Sequence, residues 1–224
     1  MPIIYQNKTI ESNKKEFSDT KPIYSFVKRC GDIFLSFIAF PAFAVVYLIV
    51  AILLKIQDGG PVLYKAERVG LDGKHFYMYK FRTMKPNADK LEDFLSPEEL
   101  EAYKKEYKLE SDPRVTKIGN IIRKTSMDEL PQVINIIKNE MSFIGPRPIV
   151  EEETKMYGNH KSLLLSVKPG LTGYWQAYAR NDVGYTDGRR QAMELYYINN
   201  RSVRLDIKIF FATIKRVITR KGVY

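Results

Sequence analysis

Asp128 and Glu129 are adjacent carboxylates in the run Arg123-Lys-Thr-Ser-Met-Asp-Glu-Leu-Pro-Gln132, with Arg147 a short way downstream. A carboxylate pair amid guanidinium groups can hold a divalent cation and phosphate together. A helix amino terminus nearby would add N–H groups that attract phosphate. Carboxylate, cation, arginine and helix terminus are the parts of a phosphoryl-transfer site. A carboxylate can also attack phosphorus itself and form an acyl phosphate. The same residues have a purely structural use. Ser126-x-x-Glu129 fits a capping box, acidic residues suit a first helical turn, and Pro131 is tolerated only near a helix start. From these residues alone both readings stand.

Other chemistries are poorly supplied. A single cysteine, Cys30, excludes a disulfide framework and a thiolate metal cluster. Two scattered histidines, His75 and His160, leave no His-rich zinc site and no ready Ser-His-Asp triad. Neither Gly-x-Gly-x-x-Gly nor Gly-x-x-x-x-Gly-Lys-Ser/Thr occurs, so the common dinucleotide and nucleoside-triphosphatase loops are missing.

The elements that must position the carboxylates include a membrane segment. From Ile33 to Leu54 there are 22 residues without a formal charge. As one straight helix they would reach about 33 Å, close to the hydrocarbon thickness of a bilayer. Lys28, Arg29 and Asp32 precede the run and Lys55 follows it. A long polar lead-in and the lack of a small-residue cleavage pattern are unlike a secretory signal peptide. Pro41 sits inside the run, where it removes a backbone hydrogen bond and clashes with the preceding turn. Basic residues lie on both sides, so the positive-inside rule puts neither end outside. A kinked spanning helix is one outcome and a re-entrant helix–break–helix, entering and leaving by one leaflet, is the other; the charge balance favours the re-entrant form.

Beyond it, Val62–Val69 and Lys74–Phe81 are β-prone and separated by Gly70-Leu-Asp-Gly73, which predicts a hairpin. Lys117–Lys124, Leu130–Lys138, Glu151–Tyr157, Gly188–Ile198 and the carboxy-terminal stretch read as helical. Residues 85–112 are acidic, and Leu91, Phe94, Leu95 and Leu100 are spaced for one face of a helix. Two Gly- and Pro-rich stretches, Ile144-Gly-Pro-Arg-Pro148 and Lys168-Pro-Gly-Leu-Thr-Gly173, are too short for linkers. The expected fold is α+β and helix-dominated: a Pro-broken re-entrant membrane helix, then a cytosolic domain of amphipathic helices with a small hairpin. Its divisions are a polar tail (1–22), the membrane segment (23–58) and the domain docked on the membrane (59–224).

The 224 residues carry 36 Lys and Arg against 26 Asp and Glu, a net charge of +10. Nucleic acid, an anionic membrane surface and phosphorylated substrates could each use such an excess. The last 24 residues hold seven basic groups and one acid, Asp206, around an apolar stripe of Ile207, Phe210, Phe211, Ile214, Val217 and Ile218. Such a helix suits a membrane interface. It also suits packing on the protein's own core. No RNA-binding signature accompanies the charge, and no feature requires nucleic acid.

The chain resembles the bacterial sugar transferase family, the monotopic polyprenyl-phosphate phosphoglycosyl transferases, over nearly all of residues 24–220. The matching stretches are Lys28-Arg29-x-x-Asp32, Tyr79-Lys-Phe-Arg-Thr-Met84, Asp112-Pro-Arg-Val-Thr-Lys117 and Thr125-Ser-Met-Asp-Glu-Leu-Pro-Gln132. Met141-Ser-Phe-Ile-Gly-Pro-Arg-Pro148, Lys168-Pro-Gly-Leu-Thr-Gly173 and Leu205-Asp-Ile-Lys-Ile209 complete the series. So many motifs in order make chance agreement untenable.

The resemblance implies transfer of a sugar phosphate from a nucleotide (uridine) diphosphate sugar to membrane polyprenyl (undecaprenyl) phosphate, with release of the nucleoside monophosphate. It implies Asp128 as a nucleophile forming a covalent phosphosugar. Glu129, with Asp128, would ligate Mg²⁺, for which Mn²⁺ is the alternative. Lys80, Arg82, Arg123 and Arg147 would hold phosphate oxygens, Glu194 would be a second acid, and Pro41 would mark the membrane break. The implied partners are the two substrates, the anionic cell membrane, downstream glycosyltransferases of a surface glycan or exopolysaccharide pathway, and a second copy of the chain in a homo-oligomer. Two departures stand out. Phe40 precedes Pro41 where many members have Ser, and Gly173-Tyr-Trp-Gln-Ala-Tyr-Ala-Arg180 replaces Gly-Trp-Ala-Gln-Val-Asn-Gly-Arg. A membrane-tethered basic binding module, and a non-catalytic export subunit, are the rival readings; neither gives Asp128 a special role.

Overall fold

The computed structural model describes residues 21–106, 109, 111–179 and 188–219. The tail up to residue 20, Arg180 and Arg220 lie outside the described residues.

Helix α1, Pro22–Asp58, runs unbroken through Pro41. Its buried residues are Asp32, Ser36, Phe43, Val50 and Leu54, spaced by four or seven, which keeps one stripe on the protein along the whole helix. The remaining faces are apolar and exposed: Phe37 is 78% exposed, Val45 61% and Ile56 79%. A soluble core helix would bury these side chains, so lipid is the solvent they fit. The chain is a membrane protein: among the described residues α1 is the helix long and apolar enough to insert, and the domain that follows it is the soluble, cytoplasm-facing part.

That domain grips α1 at both ends. Near the start, Lys28 pairs with Asp206 at 2.7 Å and the Tyr24 hydroxyl donates to the same carboxylate at 2.9 Å. Asp32 accepts from the Ser142 hydroxyl and the Phe143 N–H, at 2.9 and 3.0 Å. Arg29 donates to the carbonyls of Ile136 and Ile137 at the end of the helix that follows the carboxylates, at 2.7 and 3.0 Å. In the second half, Phe43 and Tyr47 pack on Phe81. At the far end Asp58 accepts from the Arg82 guanidinium at 2.7 Å.

The hairpin forms as the turn residues predict: β1, Leu63–Val69, pairs antiparallel with β2, His75–Phe81. Asp72 in the connecting turn has φ 57°, a left-handed conformation that Asp tolerates better than most residues. The acidic stretch departs from the expected single helix. A 3₁₀ turn at Leu91–Asp93 is followed by α2, Pro97–Glu106. Pro97 is the first residue of α2, a position where its missing N–H costs no helical bond. The Ser96 hydroxyl accepts from Glu99 N–H at 3.2 Å and the Glu99 carboxylate accepts from Ser96 N–H at 2.8 Å, a complete capping box.

Helix α3, Lys117–Lys124, is capped by Thr116, whose hydroxyl accepts from Gly119 N–H at 2.9 Å. A 3₁₀ turn at Met127–Gln132 leads into α4, Val133–Ile137. Strand β3, Ser142–Ile144, pairs in parallel with β4, Gly170–Thr172. Between them lie α5, Glu151–Thr154, a 3₁₀ stretch and α6, Lys161–Leu164. Helices α7, Tyr174–Ala179, α8, Arg189–Asn200, and α9, Val203–Thr219, complete the order. The helix-dominated α+β class with a small hairpin is therefore as expected; the short β3–β4 pair and α7 were not anticipated.

Candidate active site

The 3₁₀ turn that carries Asp128 and Glu129 follows Ser126, which lies in the left-handed region at φ 55° and forms no side-chain cap. The structural alternative for the pair fails here, because a capping residue needs extended backbone. The carboxylates turn instead toward the hairpin. Lys80 on β2 stands 3.1 Å from Glu129 Oε1 and 3.8 Å from Asp128 Oδ2.

Asn135 holds that approach in place. Fully buried on α4, it accepts from Tyr79 N–H at 3.0 Å and donates to the Tyr77 carbonyl at 2.7 Å. Its amide thus substitutes for a third strand along β2, and the turn before α4 is pinned beside Lys80. Register supplies the next cation. Arg68 lies opposite Phe76 and Lys80 opposite Tyr64, with Ala66 facing Met78 between them. Alternation puts Arg68 and Lys80 on one hairpin face.

A cavity of about 300 Å³ opens there, and Arg68, Lys80, Glu129, Arg147 and Arg216 all line it. Burial pushes the Arg68 guanidinium down from its ordinary value, and the charge of Arg147 adds to the effect. Cations crowded against one another in a partly buried cleft call for an anion. Gln176, Phe143, Leu171 and Phe210 form further walls.

Arg147 reaches the cavity from the Gly145-Pro-Arg-Pro148 loop. Its N–H donates to Glu194 Oε1 at 3.2 Å, and its guanidinium lies 5.9 Å from the Trp175 ring. Arg123, at the end of α3, donates through Nε to the Thr83 hydroxyl at 2.9 Å. Burial lowers its pKa while Asp128 opposes that, so it lies within electrostatic reach of the pair without lining the cavity.

Two of the expected site residues stand away from the cavity. Arg82 is buried and forks onto Asp58 while Nε donates to the Pro61 carbonyl. It ties the end of the membrane helix to the hairpin and does not line the cavity. Glu194 is fully buried behind Arg147, and its Oε2 has no hydrogen-bond partner among the described residues. It holds the loop from behind. Sequence reasoning gave Arg68, Arg216, Gln176 and Asn135 no role at the site. Arg216 showed there only as one of the cations along the carboxy-terminal apolar stripe, and Arg68 only as a charge in phase with Ala66 on one hairpin face.

Burial pushes the Glu194 carboxyl up from an ordinary value of 4.5 to about 7, with Arg190 and the Arg147 N–H pulling the other way. A folded pKa above the unfolded one favours the fold at low pH, and that advantage is lost as pH rises from about 4.5 through about 7. The span corresponds to about 3 kcal/mol. Glu194→Gln keeps an acceptor for Arg147 and cannot ionise. We expect its melting temperature at pH 8 to exceed the parent's by several degrees, with the difference vanishing near pH 5. A parallel pair of melting curves across that range would refute the assignment.

Among the described residues no group of three or more His, Cys, Asp or Glu gathers to hold a metal. The Asp128–Glu129 pair nevertheless fits Mg²⁺, which is typically bound through one or two carboxylates with substrate phosphates and water completing the shell.

The model of the family described as bacterial sugar transferase matches residues 23–220. The chain belongs to that family. It is 41% identical over 213 residues to the exopolysaccharide production protein ExoY of Sinorhizobium fredii, covering 94% of this chain and 93% of that one. It is also 41% identical over 209 residues to an undecaprenyl-phosphate galactose phosphotransferase of Salmonella typhimurium, covering 89% of this chain and 42% of the relative. A third relative, the UDP-N-acetylgalactosamine-undecaprenyl-phosphate N-acetylgalactosaminephosphotransferase of Aeromonas hydrophila, is 35% identical over 206 residues, 90% of this chain and 46% of its own. This bacterial sugar transferase is thus an enzyme that moves a sugar phosphate onto a polyprenyl phosphate in the membrane. The relatives' names differ in the sugar they give, so likeness at this level does not choose one.

Proposed function

We propose that the donor is a uridine diphosphate sugar and that the reaction passes through a phosphosugar ester on Asp128. The observation that carries this is the carboxylate pair facing Lys80, with Glu129 and Lys80 lining a cavity that three further cations also line. In the first step an Asp128 oxygen attacks the phosphorus that bears the sugar, and the bond from it to the bridging oxygen breaks. Nucleoside monophosphate leaves as a dianion. In the second, a phosphate oxygen of polyprenyl phosphate attacks the same phosphorus, the bond to Asp128 breaks, and the carboxylate returns. Both nucleophiles are already anions near neutral pH, so neither step needs a general base. The negative charge on the phosphate oxygens is neutralised by Lys80, Arg68 and Arg147, with Arg123 supporting the pair from outside.

Mg²⁺, or Mn²⁺ in its place, held by Glu129 and Asp128, would supply further neutralisation of phosphate oxygens when bound. Glu194 acts by position, through Arg147. The division into a tail (1–22), a membrane segment (23–58) and a catalytic domain (59–224) follows from the same reading.

The membrane segment is re-entrant in this proposal. Support comes from α1 touching one soluble domain at both Lys28 and Asp58, which a straight crossing would place on opposite sides. Pro41 lies on the exposed face. The helix is continuous at Pro41, and a proline on that face favours a bend away from it, toward the domain.

The product would feed glycosyltransferases that extend a lipid-linked surface glycan or exopolysaccharide, and assembly as a homo-oligomer is compatible with the exposed surface. The test uses the purified full chain with Mg²⁺, undecaprenyl phosphate and a panel of uridine diphosphate sugars. Uridine monophosphate should appear with at least one sugar and only in the presence of divalent cation. No release with any member sinks the donor assignment.

A further inference from the structure

Helix α9 has two apolar faces that meet. Ile207, Phe211 and Ile218 are 52%, 64% and 75% exposed, with the cations Arg204, Lys208 and Lys215 around them. Ile214 and Val217, themselves 39% and 49% exposed, belong both to this outward stripe and to the wall of the cavity. The apolar surface of the helix therefore continues into the cavity without a polar rim between. Arg216, next to Val217, also lines the cavity, although its neighbours Lys215 and Val217 are exposed. Its Nη1 donates to the Ala177 carbonyl at 3.3 Å, which aims the guanidinium across α7 and inward. The sequence alone would count it among cations facing lipid headgroups; the structure takes it out of that group.

An isoprenoid chain lying along the outward stripe would pass Ile214 and Val217 to reach the cavity, and the phosphate at its head would then meet Arg216. The other three cations come from the soluble side, Arg68 and Lys80 from the hairpin and Arg147 from its loop. Residues on one helix thus combine what a charged lipid needs: an apolar track outside and a fork-shaped phosphate donor within.

We propose that Arg216 binds the phosphate of the lipid acceptor, whereas Arg68, Lys80 and Arg147 serve the donor diphosphate. The proposal rests on the two-step reading above. Arg216 then acts chiefly in the second step, where an acceptor oxygen forms the new bond to phosphorus as the Asp128 ester breaks. It also ties that step to membrane seating, because the helix that rests on lipid is the helix that completes the acceptor site.

The halves can be read separately on the full chain in nanodiscs containing anionic lipid. The first is exchange of labelled uridine monophosphate into the donor sugar nucleotide without acceptor. The second is decay of the preformed phosphosugar enzyme on adding undecaprenyl phosphate. Arg216→Ala should raise the acceptor concentration for half-maximal decay by roughly ten- to a hundredfold, and should change exchange by less than about threefold. Arg216→Lys should fall between, since it keeps the charge and loses the fork; it also serves if the alanine variant folds poorly.

Lys215→Ala removes the same charge one residue away, and we expect weaker vesicle binding but unchanged decay in nanodiscs. Equal losses in both halves for Arg216→Ala and Arg216→Lys, or matching losses for Lys215→Ala, would overturn the assignment. Failure of the parent chain to exchange label would count against the covalent reading instead.

Discussion

Asp128→Asn is expected to reduce turnover by roughly 10⁴-fold or more, the scale seen when a covalent nucleophile is removed. The amide has nearly the shape of the carboxylate but neither its charge nor its nucleophilic oxygen. Lys80 keeps its nearer partner, Glu129 at 3.1 Å, so the fold has little reason to change. Melting temperature should therefore stay within a few degrees of the parent while activity disappears. The decisive measurement is intact-protein mass after mixing with donor and no acceptor. The parent should gain the mass of one sugar phosphate and Asp128→Asn should not.

Glu129→Gln separates the two carboxylates. It should still form the adduct, more slowly and with a higher divalent-cation requirement. If Asp128→Asn forms the adduct and Glu129→Gln does not, the roles are reversed. If both form it, the nucleophile lies elsewhere.

Much of this site was legible in the sequence, because local chemistry wrote it there. The uncharged run from Ile33 to Leu54, the turn Gly70–Gly73 between β-prone stretches and the carboxylate pair each announce themselves within a few residues. What stayed hidden depends on contacts across the chain. Arg68 and Arg216 come from opposite ends of the soluble domain and meet only because β1 and α9 flank one cavity. Asn135 looks like any polar residue on a short helix until β2 offers it an unpaired edge.

The capping box shows why pattern alone misleads. Ser126-x-x-Glu129 and Ser96-x-x-Glu99 are equivalent as motifs, yet only the second forms. Ser96 precedes Pro97, which favours the extended backbone that a cap needs. Ser126 must instead reverse the chain tightly after α3, and a residue at φ 55° cannot cap the turn that follows. Arg82 misleads for a related reason. It sits two residues from Lys80 in one motif, which in a continuing strand would share a face, but β2 ends at Phe81 and Arg82, beyond that end, turns onto Asp58 while Lys80 lines the cavity.

The Gly- and Pro-rich stretches explain how such a site is held rigid, and Gly170→Ala puts that to the test. Strands β3 and β4 pair Ser142 with Gly170 and Ile144 with Thr172. Around them, Gly145 N–H donates to the Thr172 carbonyl at 2.9 Å and Gly170 N–H to the Pro146 carbonyl at 2.8 Å. A methyl group on residue 170 would stand 2.6 Å from Gly145 Cα and overlap Gly145 N and the Thr172 carbonyl oxygen. These are backbone atoms, which cannot swing aside as a side chain would.

The two loops must separate, and Arg147 moves with them, since the Pro146 carbonyl is one of the bonds broken. A clash of this kind in a packed interior costs on the order of 3 kcal/mol. Gly170→Ala should therefore melt several degrees lower and lose donor exchange together. Gly31→Ala supplies the contrast, because a methyl group there meets nothing within 4 Å and lies within helix α1. That change should leave activity intact and, by reducing backbone entropy in the unfolded chain, hold or raise the melting temperature. Normal activity and stability in Gly170→Ala would mean that the two stretches are not in backbone contact, and the rigid placement of Arg147 would lose its basis.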